Sequence, residues 1–265
     1  MKNVVITGGA SGMGRATALK LAKNGYNVFS LDIKETSEQV ANITQLKVDV
    51  TNMQSVQNAF DYVSSKTDKL DAVINFAGII MMNSLIEISE EDFVKIFNIN
   101  VFGAYRVNKV FFPLVKNGNG KIIITTSELV SNKILPFNAI YSISKKALDA
   151  YSQGLTMELG LLGIPVVTIR PGAVQTPILK DSNKEMQELN DNTQLYKNTI
   201  TKFKTIVDKE QGSAISPEKI ASLVYKILNR KKPKHVYSKN ISKKLKLLNM
   251  ISTKTQVKIF KAMLK

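Results

Sequence analysis

The feature that most constrains this chain is a recurring alternation. A short apolar run gives way to a polar or glycine-bearing turn, and a segment of helical periodicity follows. Val4-Val5-Ile6 is the first such run; Asn27-Val28-Phe29-Ser30-Leu31, Leu46-Lys47-Val48, Ala72-Val73-Ile74, Lys121 to Thr126 and Pro165 to Ile169 come after it. Helical patterns lie between them: around Ala16, Leu19, Leu21 and Ala22, from Met53 to Val63, from Asp92 to about Val115, and from Tyr141 to about Leu162. Strands that read as continuous apolar runs are buried on both faces, which is the pattern of a parallel sheet covered by helices. The expected fold is α/β: a doubly wound parallel sheet with helices on both faces, in a single domain.

Composition removes several chemistries. The 265 residues include no Cys, so disulfides, thiolate metal sites and Cys nucleophiles are ruled out. The single His, His235, sits in a Lys-rich stretch, so neither a Ser-His-Asp triad nor a multi-His metal site is expected, and no metal is assigned. Met1 leads directly into the first strand run with no signal-peptide core, and no apolar run approaches the ~20 residues that span a bilayer. A cytoplasmic protein is expected.

Thr7-Gly8-Gly9-Ala10-Ser11-Gly12-Met13-Gly14 joins the first strand to the first helix. Glycines let the backbone turn sharply and come close to a ligand, and the helix N-terminus behind them offers N–H groups to a pyrophosphate. The position after a strand and before a helix is the context a dinucleotide-binding turn requires. A tight turn without a ligand is the competing reading. Asp32 ends the second strand run, where dinucleotide-binding folds set an acid against the adenosine ribose hydroxyls. A carboxylate there repels a 2′-phosphate and favours NAD, whereas the neighbouring Lys34 pulls toward NADP and leaves that cofactor open. Asp49, Asn75, Ser127 and Arg170 also follow strand runs, at the carboxyl ends where such sheets bind ligands.

Tyr141-Ser142-Ile143-Ser144-Lys145 opens the long helical segment, and residues four apart share a helix face. A free Tyr, with a pKa of about 10, is a poor base. A Lys ammonium roughly 5 Å away, at an effective dielectric near 20, favours the phenolate by about 3 kcal/mol, or ~2 pKa units. The pair is a proton-transfer device only in a partly desolvated pocket; otherwise it is a surface Tyr beside a surface Lys.

Together these residues resemble the classical short-chain dehydrogenase/reductase family, over roughly Lys2 to Leu228, and the resemblance implies a Rossmann fold. Thr7, Gly8, Gly12 and Gly14 match the classical glycine spacing; the extended branch has Gly where this chain has Ser11. Asn75-Phe76-Ala77-Gly78 resembles the Asn-Asn-Ala-Gly motif with Phe in place of the second Asn, and Asp49-Val50 resembles the pair that borders the adenine. Asn100 matches the helix Asn whose main chain helps hold a relay water, and Tyr141 and Lys145 match Tyr-x-x-x-Lys. Pro171-Gly172, Val174 and Thr176 resemble the segment that holds the nicotinamide carboxamide. The implied cofactor contacts are Thr7, Gly8, Ser11, Gly12, Met13, Gly14, Asp32, Asp49, Val50, Asn75, Ala77, Gly78, Tyr141, Lys145, Pro171, Gly172, Val174 and Thr176. For the catalytic Ser, counting back from Tyr141 by the commonest spacing lands on Glu128, and counting forward from Gly120 lands on Ser127. The strand register is the better guide, because the loop from Leu129 to Ile140 absorbs an extra residue. The implied catalytic set is Asn100, Ser127, Tyr141 and Lys145, and the implied activity is NAD(P)-dependent interconversion of a secondary alcohol and a ketone. Retention of all four residues favours an enzyme over a non-catalytic dinucleotide-binding regulator or scaffold.

Residues 1–229 are read as the catalytic domain, with a substrate lid at about 176–216. Its apolar residues Ile178, Leu179, Met186, Leu195, Tyr196, Phe203 and Ile206 fit a lipophilic substrate (a steroid, bile acid, retinoid or acyl chain) or simple packing of the lid on the body. Ile80, Met81, Met82, Leu135 and Phe137 fit the same pocket or the core. Residues 230–265 are read as a basic amphipathic extension that accounts for much of the net charge of +16, the last acidic residue being Glu218. Ile241, Leu245 and Leu248 share one helical face, as do Val257, Phe260 and Leu264. Such a segment lies on an anionic membrane as a peripheral contact, on a partner subunit, or on the protein's own body. With little aromatic interleaving and no binding motif, no nucleic-acid partner is expected. The family implies a homodimer or homotetramer through the helices bearing Asn100 and Tyr141.

Overall fold

In the computed structural model, which describes residues 1–34, 36, 38–211 and 214–264, seven strands form one parallel sheet in the order β3-β2-β1-β4-β5-β6-β7. The strands are β1 (Lys2–Thr7), β2 (Tyr26–Asp32), β3 (Ile43–Lys47), β4 (Ala72–Asn75), β5 (Lys121–Thr125), β6 (Val166–Pro171) and β7 (Val236–Lys239). Successive residues of a strand point to opposite faces, and both faces are covered. Val5, Val73, Ile122 and Ile124 pack with Val56 and Val63 of α2 (Met53–Ser64), Val107 and Phe111 of α4 (Gly103–Asn117) and Leu148 of α5 (Ala139–Gly160). Val4, Ile6, Ile74, Ile123 and Val167 pack with Ala18 and Leu21 of α1 (Gly12–Lys23) and Ile220, Val224 and Ile227 of α8 (Pro217–Leu228). Each such side chain, fully buried, contributes about 1.5–3 kcal/mol, which is why the central strands carry apolar residues on both faces. The chain runs outward from β1 to β3 and then crosses back to β4 on the other side of β1. That reversal opens a crevice at the carboxyl ends of β1 and β4.

Two segments differ from the sequence reading. The stretch read as one helix from Asp92 is α3 (Glu90–Phe97), a π-helical turn (Asn98–Phe102) and then α4. Ser89 Oγ caps α3 by accepting from Asp92 N at 3.1 Å, with Glu90, Glu91 and Asp92 in the favourable first turn. The π turn closes on Gly103 N donating to Asn98 O. Gly103 lies so near the segment after β3 that a Cβ there would sit 2.8 Å from Val50 Cγ2. A one-residue insertion of this kind leaves the apolar periodicity almost unchanged. The second difference is β7, which lies beyond residue 229 yet pairs with β6 in register (Ile169 with Tyr237, Pro171 with Lys239). It is a four-residue, largely exposed edge strand flanked by Lys, and charge on an edge masks the strand pattern while protecting the edge from pairing. After it come α9 (Lys243–Leu248) and α10 (Thr253–Leu264).

The lid region forms α6 (Pro177–Asn192) and α7 (Lys197–Gln211). Met186 and Phe203 are buried, Tyr196 is half-buried and Leu195 is exposed. The side chain of Ile206 and residue Lys265 lie outside the described residues. Among the described residues, no helix is long and apolar enough to cross a membrane.

Candidate active site

The crevice begins where β1 ends. Thr7 Oγ1 accepts from Ala77 N and Thr7 O from Phe76 N, both at 3.2 Å, which ties the ends of β1 and β4 together. Gly8 (φ 69°) then turns left-handed, and a Cβ on it would lie 2.8 Å from Ala77 N. A Cβ on Gly14 would overlap Gly8 O, so only glycine lets α1 pack on the turn. Ser11 is the extended N-cap of α1 and makes no side-chain cap bond, and Met13 packs on the core. The first N–H groups of a helix have no intrahelical partner, so the turn is a backbone-lined cradle suited to a pyrophosphate. Thr176 overhangs it: a Cβ on Gly12 would sit 3.0 Å from Thr176 Cγ2.

Asp32 closes the outer end of the cradle. Its Oδ2 accepts from Ala10 N at 3.0 Å and its Oδ1 from Lys34 N at 2.9 Å, so the carboxylate is fixed by backbone. Beside it lies a cavity of about 250 Å³ lined in part by Ser30, Lys34, Thr36, Gln45 and Lys47. Lys47 is a basic lining residue that the sequence reading passed over. The signal was available in the strand register, which places Lys47 opposite Asp32.

At the inner end, Gly78 leaves room for two polar side chains: a Cβ there would meet Asn100 Oδ1 at 3.0 Å and Lys145 Nζ at 3.4 Å. Asn100, fully buried in the π turn, accepts from Ile79 N at 2.8 Å and donates to Ile79 O and to Ser144 Oγ, both at 3.0 Å. Its side chain thus joins the β4 loop to α5. Lys145 Nζ donates to Thr125 O at 3.3 Å and lies 5.9 Å from the Tyr141 ring centroid. Ser127, just beyond β5, sets its hydroxyl against the Tyr141 phenol, and its Oγ accepts from Leu129 N at 3.2 Å. Glu128 turns away, accepting at Oε2 from Ser242 N at 2.6 Å.

The electrostatics correct one expectation. Burial pushes the Tyr141 phenol up to about 12, and the neighbouring Ser127 hydroxyl only partly opposes it. Burial likewise pushes the Lys145 ammonium down to about 8. Burial therefore governs both groups, and the Tyr pKa lies above its ordinary value even with the ammonium nearby. At neutral pH the site holds a protonated Tyr beside a Lys that is still mostly charged. That arrangement suits proton donation to a carbonyl oxygen.

The short chain dehydrogenase family model matches residues 2–187. The chain belongs to the short-chain dehydrogenase family. It is 30% identical over 230 residues to a protein of Bacteroides thetaiotaomicron named 3-ketodihydrosphingosine reductase, covering 87% of this chain and 84% of the relative. Its fold is similar to that of a short-chain dehydrogenase/reductase from Burkholderia phymatum solved in complex with NAD (TM-score 0.76, 24% identity, 89% of this chain and 88% of that one). It is also similar to that of an alcohol dehydrogenase from Thermococcus sibiricus complexed with 5-hydroxy-NADP (TM-score 0.68, 24% identity, 90% and 95%). The protein is an oxidoreductase of the short-chain dehydrogenase type that binds a nicotinamide cofactor.

Some candidate residues of this short-chain dehydrogenase are engaged elsewhere. Asp49 Oδ1 accepts from Thr51 N and Oγ1 at 2.8 and 2.7 Å, which shapes the turn before α2. Asn75 donates to Asn108 Oδ1 at 2.8 Å and Ile123 O at 3.2 Å, tying β4 to α4 and β5. Phe76, in place of the motif's second Asn, is buried in the core. Val50 packs against Gly103. Pro171 ends β6, Gly172 N donates to Lys239 O at 2.8 Å, Val174 is buried in a bridge to Ile215, and Thr176 stands at the N-cap of α6. His235 is exposed at the opposite, amino end of β7.

Proposed function

We propose that the protein reduces a lipophilic ketone, or oxidises the matching secondary alcohol, with Asn100, Ser127, Tyr141 and Lys145 as its working residues. The observation that carries this reading is the meeting of the Ser127 and Tyr141 side chains, with Lys145 beneath Gly78, at the mouth of the glycine cradle. A nicotinamide held there supplies the hydride donor in reduction and the acceptor in oxidation. Ser127 Oγ–H orients the substrate oxygen, and the Tyr141 phenol gives it a proton or takes one from it. Lys145 Nζ, anchored at Thr125 O, would hold the cofactor's ribose with its remaining N–H groups. Asn100 holds the Ile79 wall and α5 in place.

The lipophilic preference rests on the apolar cluster of Met82, Phe137, Met186, Leu189, Ile200 and Phe203, in keeping with the name of the Bacteroides relative. NAD is the proposed cofactor: a negative charge about 4 Å from the Asp32 carboxylate costs about 4 kcal/mol at an effective dielectric of 20. Lys34 and Lys47 offset part of that. Exposed Phe102, Tyr105, Met157 and Leu161 on the helices around Asn100 and Tyr141 fit a homodimer or homotetramer. A peripheral contact with an anionic membrane, from a cytoplasmic location, fits the outward Lys243, Lys246, Leu247 and Met250.

A panel of steroid, bile-acid, retinoid and short-chain ketones, followed by nicotinamide absorbance with NADH and NADPH, tests the reading. Turnover of an apolar ketone with NADH at the higher kcat/KM is expected. Turnover confined to short polar ketones would overturn the substrate assignment, and a preference for NADPH the cofactor assignment.

A further inference from the structure

The loop that carries Ser127 is fastened by the C-terminal segment. Glu128, the next residue, accepts from Ser242 N, and a Cβ on Gly172 would lie 2.9 Å from its Oε1. The same Cβ would overlap Asn240 O, so the turn after β7 sits directly on the Pro171-Gly172 segment. Asn240 takes a left-handed conformation (φ 59°), which Asn tolerates, and donates to Ala173 O at 2.9 Å. Farther on, Asn249 accepts from Lys133 N at 2.8 Å and donates to Asn132 Oδ1 at 2.7 Å and Ser131 O at 3.2 Å. Lys133 Nζ donates to Ile251 O. The buried Gln256 donates to Leu248 O at 2.5 Å and folds α10 back on α9.

Helix α10 then lays Phe260 and Leu264 into the cluster of Met82, Phe137, Met186, Ile200 and Phe203. The Phe137 ring meets Tyr196 and Phe203 edge-on, with centroids 5.2 and 5.4 Å away. Met82 follows β4, Phe137 lies between Ser127 and Tyr141, and α6 and α7 follow β6. All three connections leave the carboxyl edge of the central strands, the edge on which Tyr141 also stands.

We propose that residues 240–264 are the outer wall of the substrate site, with Glu128 and Asn249 as the residues that position it and Phe260 and Leu264 as determinants of substrate length. The proposal rests on the ketone-reductase reading above and adds which residues set specificity. Trimming Leu264 or Phe260 opens space at the far end of the cluster and admits a longer apolar chain. Losing the Glu128 carboxylate frees Ser242 N and loosens the wall from the Ser127 loop.

The test uses full-length protein, straight-chain methyl ketones of increasing length, and the variants Leu264→Ala, Phe260→Ala, Glu128→Ala and Glu128→Gln. The ratio of kcat/KM for the longest ketone to that for the shortest should rise fivefold or more in the two trimmed variants, with the NADH Kd unchanged within twofold. Glu128→Ala should flatten the length dependence, and Glu128→Gln, whose amide oxygen still accepts from Ser242 N, should restore it. An unchanged length profile in Phe260→Ala, or a Kd for NADH that rises in step with the loss, overturns the proposal. Hydrogen exchange at the Leu129, Asn132 and Lys133 amides reads the fastening without turnover. Faster exchange in Glu128→Ala supports it, and unchanged exchange overturns it even if the wild type reduces no ketone of the series. Inactivity of the wild type would itself count against the reductase reading alone.

Discussion

Replacing Lys145 by Met should stabilise the cofactor-free protein while abolishing its catalytic use. Lys145 is 6% exposed, and burial lowers its pKa from 10.5 to about 8. At 1.36 kcal/mol per pKa unit, keeping the ammonium charged inside the fold costs about 3 kcal/mol at pH 7. Met has a similar shape but leaves Thr125 O without the Lys145 bond, at a cost of about 1 kcal/mol. The net gain is about 2 kcal/mol, or roughly 4 °C in Tm for a chain of this length. Between pH 8 and 10.5 the folded protein holds fewer protons on Lys145 than the unfolded chain does. The wild type therefore gains stability from this group as pH rises through that window, and the penalty is fully present only below about pH 8. Thermal melts of both proteins without cofactor, at pH 7 and pH 10, measure this. The variant should melt higher at pH 7, and the gap should close by pH 10. A variant that melts lower at pH 7, or a gap that does not change with pH, would show that burial of the ammonium carries no such penalty.

Three further outcomes follow from single positions. Asn100→Ala removes three hydrogen bonds from a fully buried side chain and should cost about 3 kcal/mol or more, read as a lower denaturant midpoint. Gly14→Ala drives a Cβ into Gly8 O and should weaken NADH binding tenfold or more by fluorescence titration, through displacement of the turn. Gly154 marks the opposite case: it is exposed inside α5, and a Cβ added there would meet nothing within 4 Å. Gly154→Ala should stabilise by about 1 kcal/mol in the same denaturant assay, leaving cofactor affinity unchanged.

The parts legible from sequence are those whose information is local. The i,i+4 spacing of Tyr141 and Lys145, the glycine turn and the apolar strand runs each depend on residues close in the chain. What was not legible depends on contacts between distant segments. The strand register already favoured Ser127 over Glu128, but nothing local shows that Glu128 is held by Ser242, which lies 114 positions away. The π turn at Asn100 closes at Gly103, which packs against Val50 from the far end of β3. In α10 the inward residue is Gln256, not the expected Val257, because Gln256 reaches back to Leu248 O while Val257 is exposed. The Tyr141 pKa moves opposite to the direction that the Lys145 charge alone would give, because the degree of burial is a property of the whole fold.

Tyr141 is assigned the substrate proton, Ser127 the substrate oxygen, and the glycine turn with Asp32 the binding of cofactor. The sharpest test of that division is Tyr141→Phe, with NADH affinity measured by fluorescence and turnover by nicotinamide absorbance on a ketone the wild type reduces. A Kd for NADH within twofold of wild type and loss of nearly all turnover are expected. Near-normal turnover in that variant would contradict the assignment.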